Sequence, residues 1–410
     1  MRKRIHKNQV AVIGTVGLPA NYGGFETLTS HLVEHLEERY DLTVYCSGVS
    51  YPKNSRMDKY RKARLKYLPF KANGIQSIIY DTVSIIHALF YADVLLVLGV
   101  AGAWIFPFVR LFTNKKIIVS IDGIEWKRDK WNLPARMYLW WAEKVAVRFS
   151  HIDISDNEGI QNYTALRYGS LSRIVEYGAD HVMRVGIEKD DKIKYPFLNE
   201  PYAFGVCRIE PENNVAQIVE AFAKSDSLPL VMVGNWDSSD YGRNIRKKYA
   251  GDKKLFLLDA IYDQKALDLL RSNTSLYVHG HSAGGTNPSL VEAMYLGLPI
   301  VCYGVIYNKV TTENQAIYFS DTEDLIQIIN TINMGRLKST GHAMKKIADR
   351  RYTWKHITGL YNLLIVDALS RKTKSSIIPR ISATEIKTLL QENAKKKKQK
   401  KLIYEFENKR

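Results

Sequence analysis

The sequence predicts an α/β chain of two doubly wound domains facing a cleft. Three observations carry this. Short apolar runs alternate with helical segments in both halves. A charged stretch interrupted by prolines, Lys189 to Pro201, parts the halves as a linker would. And 410 residues at 46% hydrophobic content are enough for two cores. The expected boundaries are residues 1–185 for the first domain, 186–200 for the linker, 201–370 for the second domain and 371–410 for a basic tail.

The first half opens with a strand at Val10–Gly14. Asn21, Tyr22, Gly23 and Gly24 form a turn, and Leu28, Leu32 and Leu36 then recur at a spacing of four, which predicts an amphipathic helix. This is a Rossmann-like start without the dinucleotide fingerprint, since no GxGxxG is present. Further strands are expected at Leu42–Cys46, Val94–Gly99 and Ile117–Ile121, and helices at Leu133–Phe149 and Asn157–Tyr168. Asp122 follows the Ile117–Ile121 strand, with Glu125 and Trp126 close behind. Carboxyl ends of strands line the ligand crevice in such sheets, so Asp122 is a candidate for holding a hydroxyl. A loop aspartate capping the next turn reads equally well.

In the second half, Tyr202–Cys207 is a strand ending at Arg208, and Asn213–Lys224 a helix. Strands follow at Leu230–Val233, Leu255–Leu258, Leu276–His279 and Ile300–Tyr303. Between the last two lies Gly280–Pro299, GHSAGGTNPSLVEAMYLGLP, the stretch around which the chain is organised. Asn287 is a good N-cap and Pro288 suits the first helical turn. Gly297 stops the helix and Pro299 prevents it resuming. Gly284 and Gly285 allow close approach of a ligand, and the helix start favours an anion. Glu292, one turn inside, can accept from hydroxyls. An arginine at a strand end beside such a site, as Arg208 is, can grip two phosphate oxygens. It also has Glu210 and Glu212 within reach for a surface ion pair. Past Asp321 the pattern is helical: Asp324–Ile332, Leu337–Arg350 and Trp354–Leu369.

The net charge is +17, and the tail 371–410 supplies +9 of it. A second cluster, Lys53, Arg56, Lys59, Arg61, Lys62, Arg64 and Lys66, is interleaved with Tyr60, Leu65 and Tyr67. Both are expected to attract an anionic membrane surface, or else to be solvated faces. No nucleic-acid reader motif accompanies the charge, which argues against DNA or RNA as partner. Cys46, Cys207 and Cys302 are scattered and suit a reducing cytoplasm. The basic start is followed by too short an apolar run for a signal peptide. The longest uncharged run, Val94 to Val109, is shorter than the ~20 residues of a spanning helix.

The Gly280–Pro299 stretch resembles the C-terminal-domain signature of family 4 glycosyltransferases, retaining enzymes of the GT-B fold. That signature has two glutamates eight positions apart around a Gly-rich turn; here the second is Glu292 and the first position holds Gly284. Arg208 matches a family arginine, while Asn213 stands where the family commonly has lysine, with Lys309 as a possible replacement cation. Tyr177-Gly178-Ala179-Asp180 resembles the Asn-Gly-Val-Asp element that precedes the family's linker. GGTNPSLVEAM, with YGGFET near the N-terminus, resembles a bacterial subgroup of rhamnosyltransferase-like enzymes of capsule assembly.

The resemblance implies a nucleotide diphosphate sugar as donor, dTDP-L-rhamnose in the subgroup, and a lipid-linked saccharide acceptor. It places Gly23, Gly24, Arg208, Asn213, Gly284, Gly285, Thr286, Asn287, Ser289 and Glu292 on the donor, and Asp122, Glu125 and Trp126 on the acceptor. Arg208 stabilises the leaving diphosphate, Asp122 positions the acceptor, and attack is front-face with retention. Without an Asp-x-Asp motif, neither metal nor cofactor is expected. The location implied is cytoplasmic, at the inner face of the cell membrane. A UDP- or GDP-linked donor, an epimerase or phosphorylase on the same fold, and a non-catalytic scaffold are the competing readings. The oligomeric state is left open.

Overall fold

The computed structural model describes residues 7–20, 23–121, 123–127, 131–225, 227–331 and 333–374. The turn residues Asn21 and Tyr22, the candidate Asp122 and most of the basic tail lie outside the described residues.

The first domain holds strands β1 (Gln9–Ile13), β2 (Asp41–Ser47), β3 (Lys59–Tyr60), β4 (Ala63–Leu68), β5 (Val94–Leu98), β6 (Lys116–Ile121), β7 (Ile152–Ser155) and β8 (Arg173–Ile174). Its helices are α1 (Gly24–Leu36), α2 (Gln76–Ala88), α3 (Phe106–Phe112), α4 (Leu133–Phe149) and α5 (Glu158–Tyr168). The sheet order is β3-β4-β2-β1-β5-β6-β7-β8, parallel apart from the β3–β4 edge pair. The order reverses between β1 and β5, and a doubly wound sheet takes its ligand at that point.

The second domain holds β9 (Ala203–Val206), β10 (Leu230–Val233), β11 (Leu255–Leu258), β12 (Leu276–His279), β13 (Ile300–Tyr303) and β14 (Ile317–Phe319) in the parallel order β11-β10-β9-β12-β13-β14. Its helices, continuing the numbering, are α6 (Lys189–Lys194), α7 (Val215–Lys224), α8 (Asp240–Lys248), α9 (Gln264–Ser272), α10 (Pro288–Tyr295), α11 (Ile306–Thr311), α12 (Thr322–Thr331), α13 (Met334–Arg351) and α14 (Trp354–Ser370). The expected linker is thus partly helical: Glu188 and Asp191 form a reciprocal capping box that starts α6. The helix expected from Asn213 begins two residues later, because Pro211 opens a 3-10 turn and Asn214 takes a left-handed conformation at φ 50°.

The last helix returns to the first domain. α14 packs on α1 and on β5 and β6, and the Tyr40 hydroxyl donates to Asn362 at 2.9 Å. The Asp180 carboxylate accepts from the Trp354 amide at 2.6 Å, so the end of the first domain helps fix the start of that helix. One apolar cluster accordingly runs from Val10 and Leu32 through Leu290 and Met294 to Ile357 and Ile365.

Helices are expected between the first-domain strands, but the bounds of α2 are not assigned from sequence. Its apolar residues lie on more than one side, so they give no single stripe. Its buried Asp81 is the unusual member. Burial pushes that carboxyl up to about 8, with the Gly102 amide opposing only in part. An unfolded aspartate ionises near ~4, so between roughly pH 4 and 8 the folded state holds the extra proton and stability falls as pH rises. Asp81→Asn removes that dependence. Urea unfolding at pH 5 and pH 8 should show the variant gaining on the order of 3 kcal/mol relative to wild type across the interval. A difference that does not change with pH would mean that Asp81 is ionised in the fold.

Candidate active site

The cleft is built where carboxyl ends of strands from the two sheets meet. On the second domain, β12 delivers the Gly280–Asn287 loop to the start of α10. The Asn287 side-chain Oδ1 accepts from the Ser289 amide at 3.0 Å and the Ser289 hydroxyl at 2.8 Å, so the expected cap is present. Pro288 is the first helical residue, and Gly297 ends the turn at φ 68°.

The first domain presses on this loop. A Cβ on Gly285 would fall 1.7 Å from the Asp156 carboxylate, which follows β7, so only glycine fits there. The Thr286 hydroxyl donates to the Asp156 carbonyl at 2.5 Å and accepts from the Asn157 amide at 3.3 Å. Gly123, after β6, approaches Gly284, and Gly24 approaches the Pro288 ring. The two glycine turns singled out in the sequence therefore converge on one cleft. Beneath the first of them, the Glu26 carboxylate accepts from the Val16 amide at 2.6 Å and the Thr15 hydroxyl at 3.0 Å.

Arg208 stands at the end of β9 with its side chain 35% exposed. Among the described residues its guanidinium makes only long ion pairs, 3.7 Å to Glu210 and 3.9 Å to Glu212. Such pairs are worth ~0–1 kcal/mol, so an incoming diphosphate can displace them. Asn213 differs from what its place in the sequence suggests. It is 3% exposed, donates to the Arg208 carbonyl at 2.7 Å, and its carbonyl oxygen accepts from His281 Nδ1 at 2.6 Å. It closes the Arg208 loop and joins it to the Gly280 loop, instead of facing the cleft as a lysine substitute. Lys309 lies over the Tyr318 ring.

Glu292 is the hub of a network that crosses the linker. One carboxylate oxygen takes the fully buried Arg271 guanidinium, and the other lies 3.2 Å from His181 Nε2. Arg271 is also 2.8 Å from Asp268, which in turn accepts from the Met183 amide at 3.2 Å. Trp354 Nε1 donates to His181 Nδ1 at 3.0 Å, which leaves the His181 proton on Nε2, facing Glu292. Burial pushes the Glu292 carboxyl up, but Arg271 and His181 outweigh it and hold it at about 2. Glu292 is thus ionised throughout the working range. Each oxygen has a second lone pair for a hydroxyl, so a ribose contact is compatible with the clamp.

Of the residues expected on the acceptor, Glu125 accepts from Trp131 Nε1 at 2.9 Å, and Trp126 Nε1 donates to the Tyr163 hydroxyl at 3.0 Å. The Arg167 guanidinium lies 4.8 Å from the centre of the Trp126 ring. In the basic segment, Lys53, Lys59, Arg64 and Lys66 are exposed. Arg56 instead donates to the carbonyls of Tyr51 and Gly48, while Arg61 pairs with Glu34 and Glu37 and Lys62 with Glu38. Leu65 is buried and Tyr67 half-buried, which removes both as side chains entering a membrane. Among the described residues, His31, Glu34 and His35 bring ligand atoms within 4.8 Å of one another, on α1.

Residues 187–333 match the family model described as Glycosyl transferases group 1, and residues 7–180 match Domain of unknown function (DUF1972). The fold is GT-B, and its second sheet lies within the residues that match the group 1 model. Among solved structures, the chain resembles a sucrose-phosphate synthase from Thermosynechococcus elongatus at TM-score 0.72 and 15% identity, covering 88% of this chain and 100% of that one. A glycosyltransferase from Rickettsia africae gives TM-score 0.69 at 12% identity, over 89% and 99% of the two chains. HepE of Anabaena, in complex with UDP-glucose, gives 0.67 at 13%, over 88% and 100%. No curated protein matches in sequence.

Gly284, Gly285, Asn287, Ser289 and Glu292 lie on one loop and helix after β12, and the parallel pairing of β12 with β9 brings Arg208 to the same end of the sheet. The clamp residues Asp268, Arg271 and His181 escaped the sequence reading. A signal was present in Asp268-x-x-Arg271, one helical turn apart beside Leu269 and Leu270, but charges at that spacing usually mark a solvated face.

Proposed function

We propose that the chain transfers a sugar from a nucleotide diphosphate donor, with retention, onto a lipid-linked saccharide. In this reading the donor diphosphate sits between Arg208 and the α10 start. The nucleotide ribose meets Glu292, and the acceptor enters from the first domain beside Asp122, Glu125 and Trp126. The observation that carries the reading is the capped α10 start and the weakly paired Arg208 following the carboxyl ends of neighbouring parallel strands β12 and β9, in the part of the chain that matches the group 1 model. As the glycosidic bond breaks, charge gathers on the leaving diphosphate, and a fixed cation with oriented amides lowers that barrier.

The preferred donor is dTDP-L-rhamnose, for capsular or exopolysaccharide synthesis at the inner face of the cell membrane. It rests on the likeness of GGTNPSLVEAM and YGGFET to rhamnosyltransferase-like sequences. A second reading, a UDP-linked hexose donor, is favoured by the likeness to HepE, which binds UDP-glucose. A screen of dTDP-L-rhamnose, UDP-glucose and a GDP-sugar on purified protein, with a lipid-diphosphate-glucose acceptor, separates the two. Acceptor-dependent release of dTDP is expected. Acceptor-dependent release of UDP alone selects the second reading, and donor conversion without acceptor points to an epimerase.

A further inference from the structure

The outer face of the first domain carries an apolar surface that the cleft does not use. On α2 and its flanks, Ile75, Ile79, Ile86 and Phe90 are exposed at helical spacing. Beside them α3 presents Phe108, Leu111 and Phe112, and α4 presents Leu133, Met137, Trp140 and Trp141. Phe90 is 84% exposed, and Leu111 and Phe112 are each 74% exposed. A groove of about 430 Å³ between these helices is lined by Ile78, Ile79, Val83, Trp104, Tyr138 and Trp141. Contiguous apolar surface of this kind marks a docking face.

Charge decides what docks there. The α4 stripe continues through exposed Lys144 and Arg148. Arg64 and Lys66 pair in register with Thr43 and Tyr45, and Tyr45 bonds His87 at the end of α2, so these two cations flank the same face. The three acids within residues 71–116 and 133–150 are withdrawn: Asp81 and Glu143 are buried, and Asp93 accepts from the Gln9 amide. A second copy meeting this face would set cations against cations with no carboxylate to pair them. An anionic bilayer satisfies both halves of the surface, with aromatic rings at the headgroup level and lysine and arginine on phosphates.

We propose that this face of α2, α3 and α4 docks on an anionic lipid bilayer, with Phe90, Phe108, Leu111, Phe112, Trp140 and Trp141 entering the boundary between headgroups and acyl chains. The groove lies at the end of the face nearest the cleft: Tyr80, one residue past Ile79, donates from its hydroxyl to the Thr15 carbonyl just after β1. A lipid-linked acceptor would then reach the cleft without leaving the bilayer. That last step alone rests on the proposed transfer; the docking is read without substrate.

The test is co-sedimentation of the full chain with phosphatidylglycerol and phosphatidylcholine vesicles at 0.15 M and about 1 M salt, where the Debye length falls to ~3 Å and the basic tail is screened. Wild type should bind the anionic vesicles and keep part of that binding at high salt. Leu111→Gln/Phe112→Gln and Trp141→Gln, at surface positions where folding is spared, should each lower partitioning ~10-fold or more at both salts. Thermal melting checks their fold. Variants that bind like wild type, or wild-type binding abolished by salt, would overturn the proposal in favour of electrostatic attachment by the tail. A solution dimer dispersed by the same substitutions, without vesicle binding, would overturn it in favour of self-association.

Discussion

Arg208→Ala is expected to lower turnover roughly 10²–10³-fold, the usual loss when one partner of a developing anion is removed. Its ion pairs are long and partly exposed, so thermal stability should change little. Arg208→Lys should recover only part of the rate, because a point charge replaces a fork that spans two phosphate oxygens. Single-turnover assays together with melting curves separate the catalytic loss from unfolding. Near wild-type rates in Arg208→Ala would place the leaving group elsewhere.

Arg271→Met should have the largest effect on folding. It leaves Asp268 and Glu292 as like charges without their shared cation, and breaking a buried pair in this way costs about 3–5 kcal/mol. The pH dependence distinguishes this from a packing defect. In wild type the Glu292 pKa is depressed to about 2, so its contribution is present above the unfolded carboxyl pKa and is lost as pH falls towards 2. In the variant Glu292 loses the cation that depresses it. The deficit against wild type should then be greatest near neutrality and shrink on acidification as Glu292 takes up a proton. Urea unfolding at pH 7 and pH 4.5 reads the difference. A deficit equal at both values would make Arg271 a packing residue only.

What was legible in the sequence was what depends on local pattern. The strand–turn–helix of β1 and α1, the cap and stop of α10 at Asn287 and Gly297, and the helix α14 follow from short-range rules of spacing, capping and proline. What escaped depends on contacts far apart in sequence. The Arg271–Glu292–His181 clamp joins α9, α10 and the end of the first domain, and none of the three residues signals the others. Asn213 reads as a polar cleft residue until the Gly280 loop is seen to bury it against His281. The basic Lys53–Lys66 segment reads as one membrane patch, but Arg56, Arg61 and Lys62 are turned to partners within the fold. The apolar face of α2 shows in sequence only as apolar residues, and their exposure is a fact of three dimensions.

The most direct measurement is calorimetric titration of UDP and dTDP, beside uridine and thymidine, into wild type and Arg208→Ala. A diphosphate held by Arg208 and the α10 start predicts that the nucleoside diphosphates bind wild type far more tightly than the nucleosides do, and that Arg208→Ala removes most of that advantage while leaving nucleoside binding unchanged. Equal affinity of the two proteins for the diphosphates would contradict it.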